Sequence, residues 1–232
     1  MIIVAGDTAT RTNTVAVCND DQILAETVVD CGRTHAERLL DTISWALDEA
    51  GVQLADLNAL AISVGPGSFT GLRVGLATWK GLAFGLGIPL VGVPTLAAMS
   101  RLPGMDSGVC CPMLDARMGE VFAAAYRFES GVRSPVLEDC VASVEKVAEA
   151  LRAHGSVTVF GDGVSVYDAR IRASLPGCRL LPRMFWAPRA SAVAAEARDL
   201  LLTGWNTEAE AVRPVYLRKS QAEQNQERMS RP

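Results

Sequence analysis

The sequence predicts an α/β protein of two lobes, each a mixed sheet flanked by helices, with the second lobe a reduced copy of the first. Three observations predict it. Up to about Ser100 the apolar pattern runs β-β-β-α-β-α-β-α, three strands and then alternating crossovers. The stretch Pro103-Gly104-Met105-Asp106-Ser107-Gly108 interrupts that pattern, and strands begin again beyond it. The lobes are therefore expected at residues 1–102 and 103–219, followed by a polar tail at 220–232 that has no apolar period and reads as disordered.

Taken in order, Met1 to Gly6 is an uninterrupted apolar run, the mark of a strand covered on both faces, and Asp7-Thr8-Ala9-Thr10 places short polar groups at its end. Asn13 to Asn19 and Gln22 to Asp30 flank the turn pair Asp20-Asp21 and read as two more strands. From Thr34, a plausible N-cap, the period becomes helical: Ala36, Leu39, Leu40, Ile43, Ala46, Leu47 and Ala50 share one face, and Gly51 stands where a C-cap belongs. The opposite face carries Arg38, Asp41, Trp45, Asp48 and Glu49. An indole among charges fits either a partner surface or a ring folded flat on its own helix.

Leu57 to Val64 reads as the next strand, and it stops at the corner Gly65-Pro66-Gly67-Ser68 before a helix from Gly71 to Leu86. On a helical wheel Gly71, Gly75, Thr78, Gly81 and Gly85 form one stripe. A glycine costs about 0.8–1 kcal/mol against Ala in an exposed helix interior. The stripe therefore implies that another backbone comes close, either the sheet below or a helix alongside. Arg73 and Lys80 mark a wetter face. Ile88 to Val93 is a short strand, and Pro94-Thr95 opens a helix toward Ser100. In the second half Val109–Leu114, Glu120–Arg127, Val136–Cys140 and Val157–Phe160 read as strands, with helices at Val144–Arg152 and Ala190–Leu202 and a second glycine corner at Gly161-Asp162-Gly163.

Composition narrows the function classes. Hydrophobic residues make up 49% of the chain and charged ones 21%, the mixture of a chain that folds. A net charge of -4 argues against the broad basic face of a stand-alone nucleic-acid binder, so any RNA is expected to be held through a partner. The six cysteines contain no C-x-x-C, and Met1 leads straight into a strand without the marks of a signal peptide, so a reduced, cytoplasmic setting is expected. Gly81 to Ser100 is uncharged, but Pro89, Pro94 and the glycines within it contradict a membrane span.

The chemistry that the residues can support is limited. Asp7 and Asp115 stand at two strand ends, where they fit either a magnesium or acid–base pair or ordinary turn residues. The backbone of Gly65, Gly67, Ser68 and Thr70, with Asp7 and Thr8 beside it, fits either an anion cradle or a tight strand-to-helix turn. His35 and His154 have no metal-ligand spacing around them, so no metal site and no catalytic residue are expected. Neither Gly-x-Ser-x-Gly nor Gly-x-x-x-x-Gly-Lys-Ser/Thr occurs.

Gly6-Asp7-Thr8-Ala9-Thr10, His35-Ala36-Glu37-Arg38-Leu39-Leu40, the run from Val64 to Gly75, Leu114-Asp115-Ala116-Arg117 and Val215-Tyr216-Leu217-Arg218 together resemble the bacterial TsaB (YeaZ) family. The resemblance implies a fold of the acetate-kinase/hsp70/actin type. It also implies a non-catalytic subunit in the synthesis of threonylcarbamoyladenosine at tRNA position 37, paired with the related catalytic subunit TsaD and joined by the ATPase TsaE. That catalytic relative carries a His-x-x-x-His metal motif where this chain reads Thr95-Leu96-Ala97-Ala98-Met99. The resemblance places the partner contact on the first lobe's helices, hence on His35, Arg38, Leu39, Trp45, Gly71, Arg73, Gly75 and Thr78. There Gly75→Leu should block pairing without unfolding the monomer. It further implies that the chain has no cofactor of its own, that any ATP or ADP lies at the interface with the partner in contact with Asp7, Thr8, Gly65, Gly67, Ser68, Thr70 and Asp115, and that a homodimer forms through the same surface when TsaD is absent. The competing reading is a small-molecule kinase or carbamoyl-group transferase of the same fold, acting on Mg-ATP through Asp7, the Gly65–Thr70 corner and Asp115.

Overall fold

The computed structural model describes residues 1–30, 35–205 and 207–218, with backbone alone at 35–37. Thr34, Cys31 and the tail expected to be disordered lie outside the described residues. The first lobe is a five-stranded sheet, order β3-β2-β1-β4-β5, of β1 (Ile2–Asp7), β2 (Thr12–Asn19), β3 (Gln22–Asp30), β4 (Ala59–Gly65) and β5 (Leu90–Pro94). The first three strands pair antiparallel as a meander, and β4 and β5 add in parallel beside β1 through helical crossovers. Alternation along each strand separates two cores. Val4, Val15, Val17, Leu60 and Ile62 face α1 (His35–Ala50) and α2 (Phe69–Leu86), where Leu39 and the fully buried Trp79 fill the layer.

The other face of that sheet is lined with small side chains, including Ala5, Ala16, Ala59 and Ala61, and it is covered by α6 (Ala190–Leu202) through Ala190, Ala194 and Ala197. Small residues on both sides let the helix lie close to the sheet. Its start is fixed to β3, where the Glu26 carboxylate accepts from the Ser191 amide (3.0 Å) and hydroxyl (2.8 Å) and pairs with Arg189. The chain thus returns to the first lobe after completing the second, and the expected division at 103–219 does not hold for α6. Sequence distance gave no warning of this, because an alanine-rich helix fits either sheet.

The second lobe repeats the order: β6 (Gly108–Asp115) at the centre, β7 (Glu120–Glu129) and β8 (Val132–Ser143) antiparallel on one side, β9 (Val157–Phe160) and β10 (Arg179–Leu180) parallel on the other. The reduction lies in the two parallel strands on one side of β6, four residues in β9 and two in β10. Helices α4 (Val144–Leu151) and α5 (Gly163–Ser174) cover one face. The sequence reading missed α5, whose buried positions reduce to Gly163, Val164, Tyr167 and Ile171. The other face meets the first lobe: Leu96 and Met99 of α3 (Thr95–Met99) pack against Leu114, Phe122 and Phe128. Beside them Arg133 of β8 donates to the Ala97 carbonyl (2.8 Å) and to Glu196 of α6 (2.5 Å), which also accepts from Arg101 (2.5 Å). Among the described residues no helix is long and apolar enough to cross a membrane.

Candidate functional site

Each lobe builds its site from the same local event: the first strand of the sheet ends, and the helix that follows its parallel neighbour starts against that end. In the first lobe β4 runs into a cis Gly65–Pro66 bond with Gly65 at φ +121°, and Ser68 caps α2 by accepting from the Gly71 amide (3.3 Å). The Ser68 amide donates to the Ala9 carbonyl (2.6 Å), and the Thr8 hydroxyl donates to the Gly71 carbonyl (2.8 Å). A Cβ on Gly67 would lie 2.5 Å from the Ala9 carbonyl oxygen, one on Gly71 2.0 Å from that of Thr8, and one on Gly75 2.2 Å from the Thr8 hydroxyl. These glycines exist so that α2 can press on the end of β1.

This corrects the expectation for the glycine stripe. Gly71 and Gly75 are buried inside the lobe and present nothing to a partner, and Gly75→Leu would collide with Thr8, so it cannot leave the monomer intact. Leu39 is likewise a core residue, 1% exposed. Thr78 is half-buried and bonds to the Val74 carbonyl of its own helix. Arg38 and Arg73 are exposed, and Trp45 is 48% exposed. The His35 side chain lies outside the described residues. The outward stripe of α2 is instead Arg73, Ala77, Gly81 and Phe84, with Gly81 and Gly85 open and Phe84 89% exposed. On α1 the exposed apolar residues are Leu40 and Trp45. Leu40, expected on the apolar face of α1, is instead 59% exposed, and Phe84 escaped the sequence reading although it falls off the Leu72, Leu76, Trp79, Ala83 stripe and could have been found by that mismatch.

Between the lobes lies a cleft of about 210 Å³. Ala9, Thr10, Gly67 and Ser68 line it from the first lobe, Asp115, Arg117 and Asp162 from the second, and Val215 to Arg218 from the end of the described chain. Asp115 accepts from the Arg117 amide (2.9 Å) and the Tyr167 hydroxyl (3.1 Å), while Asp162 accepts from the Asp115 amide (2.9 Å). Burial raises the Asp162 carboxyl above its ordinary range, partly offset by that amide.

Of the residues expected around a nucleotide, Gly67, Ser68 and Asp115 line the cleft. Asp7 and Thr8 do not, since both are completely buried. Thr70 is exposed outside the cleft, and Gly65 lies beneath Val215, whose carbonyl oxygen would be 2.5 Å from a Cβ there. The pair Asp7 and Asp115 is therefore not assembled. Among the described residues Asp7 accepts from the Ala9 amide (2.9 Å) through one oxygen while the other has no hydrogen-bond partner, and burial pushes its carboxyl up to about 6 against the pull of the Ala9 amide. The cleft is also smaller than the roughly 300–1,000 Å³ of ordinary ligand sites.

Thr95 and Met99 are both fully buried. The Thr95 hydroxyl accepts from the Gly65 amide (3.2 Å), and the Met99 thioether lies in the core between the lobes. Among the described residues no three His, Cys, Asp or Glu side chains converge as a metal site would require.

Two lobes with the same strand order, joined across a cleft, define a protein of the acetate-kinase/hsp70/actin type, and a ROK family protein from Streptococcus pneumoniae shares that fold with a TM-score of 0.50 at 12% identity, over 88% of this chain and 99% of that one. The family model described as TsaD, tRNA N6-adenosine threonylcarbamoyltransferase, matches residues 29–226. The tRNA threonylcarbamoyladenosine biosynthesis protein TsaB of Escherichia coli is 34% identical over 226 residues, 96% of each chain. YeaZ from Pseudomonas aeruginosa superposes with a TM-score of 0.80 at 30% identity, over 93% of this chain and 99% of its own. The chain belongs to the TsaB (YeaZ) family of tRNA threonylcarbamoyladenosine biosynthesis proteins.

Proposed function

We propose that this chain is the non-catalytic subunit of the machinery that makes threonylcarbamoyladenosine at tRNA position 37, and that it supports a TsaD-type catalytic subunit. The observation that carries the reading is the outer surface of the two helices on one sheet face: on α2 Phe84 stands exposed with the open glycines Gly81 and Gly85, and on α1 Leu40 and Trp45 are exposed, Trp45 on the side of Thr27 and Val29 of β3. Large apolar side chains on two helices that share one sheet face fit a helical partner, and bare glycines let its backbone approach. The buried Thr95 and Met99, which stand where the catalytic relative has its histidines, support a role without metal chemistry. A TsaE-type ATPase joins the assembly, tRNA is reached only through it, and the setting is the cytoplasm. Without its partner the chain pairs with itself through the same surface.

Any ATP or ADP belongs to the assembly rather than to this chain alone, because the cleft is narrow and Asp7 is walled off from it. The same two facts weigh against a free-standing kinase or carbamoyl-group transferase.

Phe84→Asp should abolish co-purification with the TsaD-type subunit while moving the stability of the isolated chain by no more than about 0.5 kcal/mol. Undiminished co-purification would remove the reading. Reconstituted tRNA modification should fall to background when this chain is omitted, and phosphate release from ATP by the chain alone would favour the enzyme instead.

A further inference from the structure

The small volume of the cleft has a physical source in the last described residues, 212–218. Val212 is buried over Gly92, where a Cβ would lie 2.7 Å from its methyl carbon. The Val215 amide donates to the Val64 carbonyl at the end of β4 (2.7 Å), above the glycine that leaves room for it at position 65. Tyr216 stacks on Phe69 (ring centroids 4.7 Å apart) and accepts from the Arg73 guanidinium (3.0 Å), which itself lies 3.9 Å over the Phe69 ring. Leu217 then packs on the core between the lobes, and Arg218 grips the far wall, donating to the Ala116 carbonyl and pairing with Glu120.

The segment is thus fastened at both ends, once to each lobe, and supplies four residues to the cleft wall. Its fastenings are of unequal kind. The Val212 end is buried in an apolar core, whereas Val215 and Tyr216 are 42% and 38% exposed and are held by one backbone bond, one ring stack and side-chain bonds at the surface. Contacts of the second kind open locally at far lower free energy than a sheet core unfolds.

We propose that residues 213–218 form a strap that closes the cleft of this chain in cis, hinged at Val212 and able to lift away from both lobes while the sheets stay folded. Lifting frees the Val64 carbonyl, uncovers the Gly65 corner and releases the β6–β7 turn from Arg218. The cleft then widens on the side where Gly67, Ser68 and Asp115 already face it.

Hydrogen exchange of the whole chain tests this without any ligand. The Val215 amide should exchange about tenfold or more faster than the amides of β1, through an opening that β1 does not share. Equal rates at the two places would mean that the strap leaves only when the lobe unfolds, and would overturn the proposal. The double variant Tyr216→Ala/Arg218→Ala should raise exchange about tenfold at the Ser68 amide, held by Ala9, and at the Ala116 and Glu120 amides of the turn, with β1 unchanged. No change at these walls, or an equal rise throughout the chain, would show that the segment is merely structural. If the double variant does not fold, the comparison of Val215 with β1 in the unaltered chain decides the matter.

Discussion

The two lobes share a strand order and solve the same corner in different ways. In the first, Gly67 and Gly71 let a helix start press on Thr8 and Ala9; in the second, Gly161 and Gly163 let α5 press on Met113, with a Cβ on Gly161 falling 2.1 Å from the Met113 carbonyl oxygen. The central strands end in equivalent carboxylates with opposite fates. Asp7 is sealed beneath its helices with one oxygen unpartnered, whereas Asp115 keeps an amide and a phenol as donors and faces the cleft. The comparison teaches that a duplicated fold preserves its packing geometry more strictly than its polar chemistry. Only one of the two lobes turns its carboxylate toward the cleft.

The sharpest way to break that equivalence is at the glycines. Gly71→Ala and Gly161→Ala each force a methyl into backbone, and the latter also has φ +115°, so each should destabilise the chain by about 3 kcal/mol or more in urea unfolding. A mild effect in one lobe would show that its corner can relax where the other cannot.

The carboxylates come next. Between pH 3.8 and about 6 an unfolded Asp7 ionises while the folded one keeps its proton, so stability falls as pH rises through that window, by up to about 3 kcal/mol. Asp7→Asn should therefore stabilise the chain by about 2–3 kcal/mol above pH 6 and have little effect near pH 4, as read from thermal melting at both values. Asp115→Ala should do the opposite, costing about 1–2 kcal/mol because it leaves the Arg117 amide and the Tyr167 hydroxyl without their acceptor.

The smallest effect contrasts two ends of one helix. Gly81→Ala meets nothing within 4 Å and should stabilise the isolated chain by about 0.5–1 kcal/mol, the opposite sign to that expected at Gly71.

Periodicity made most of the architecture legible. The limits of β3, β9 and α6 follow from runs of apolar spacing and from the turn residues that bound them. The helix α5 stayed hidden because three buried large apolar residues over twelve positions, with Val166 off their stripe, make too weak a period. At the site, Gly67, Ser68 and Asp115 could be found from the shape of a strand-end corner. Nothing local distinguishes them from Asp7, Thr8 and Gly65, which occupy the same kind of corner and end up behind the wall.

The sequence by itself determined the two lobes, their strand order up to the crossovers, the glycine corner and the family. Each of these is carried by neighbours in the chain. Tertiary structure decided which glycines are filled from inside and which remain open, that α6 covers the first sheet, that Asp7 is enclosed, and that residues 212–218 lie across the cleft. Those outcomes depend on contacts between residues far apart in sequence, such as Gly71 with Thr8 and Gly65 with Val215, and a stripe or corner looks the same in sequence whatever comes to rest against it.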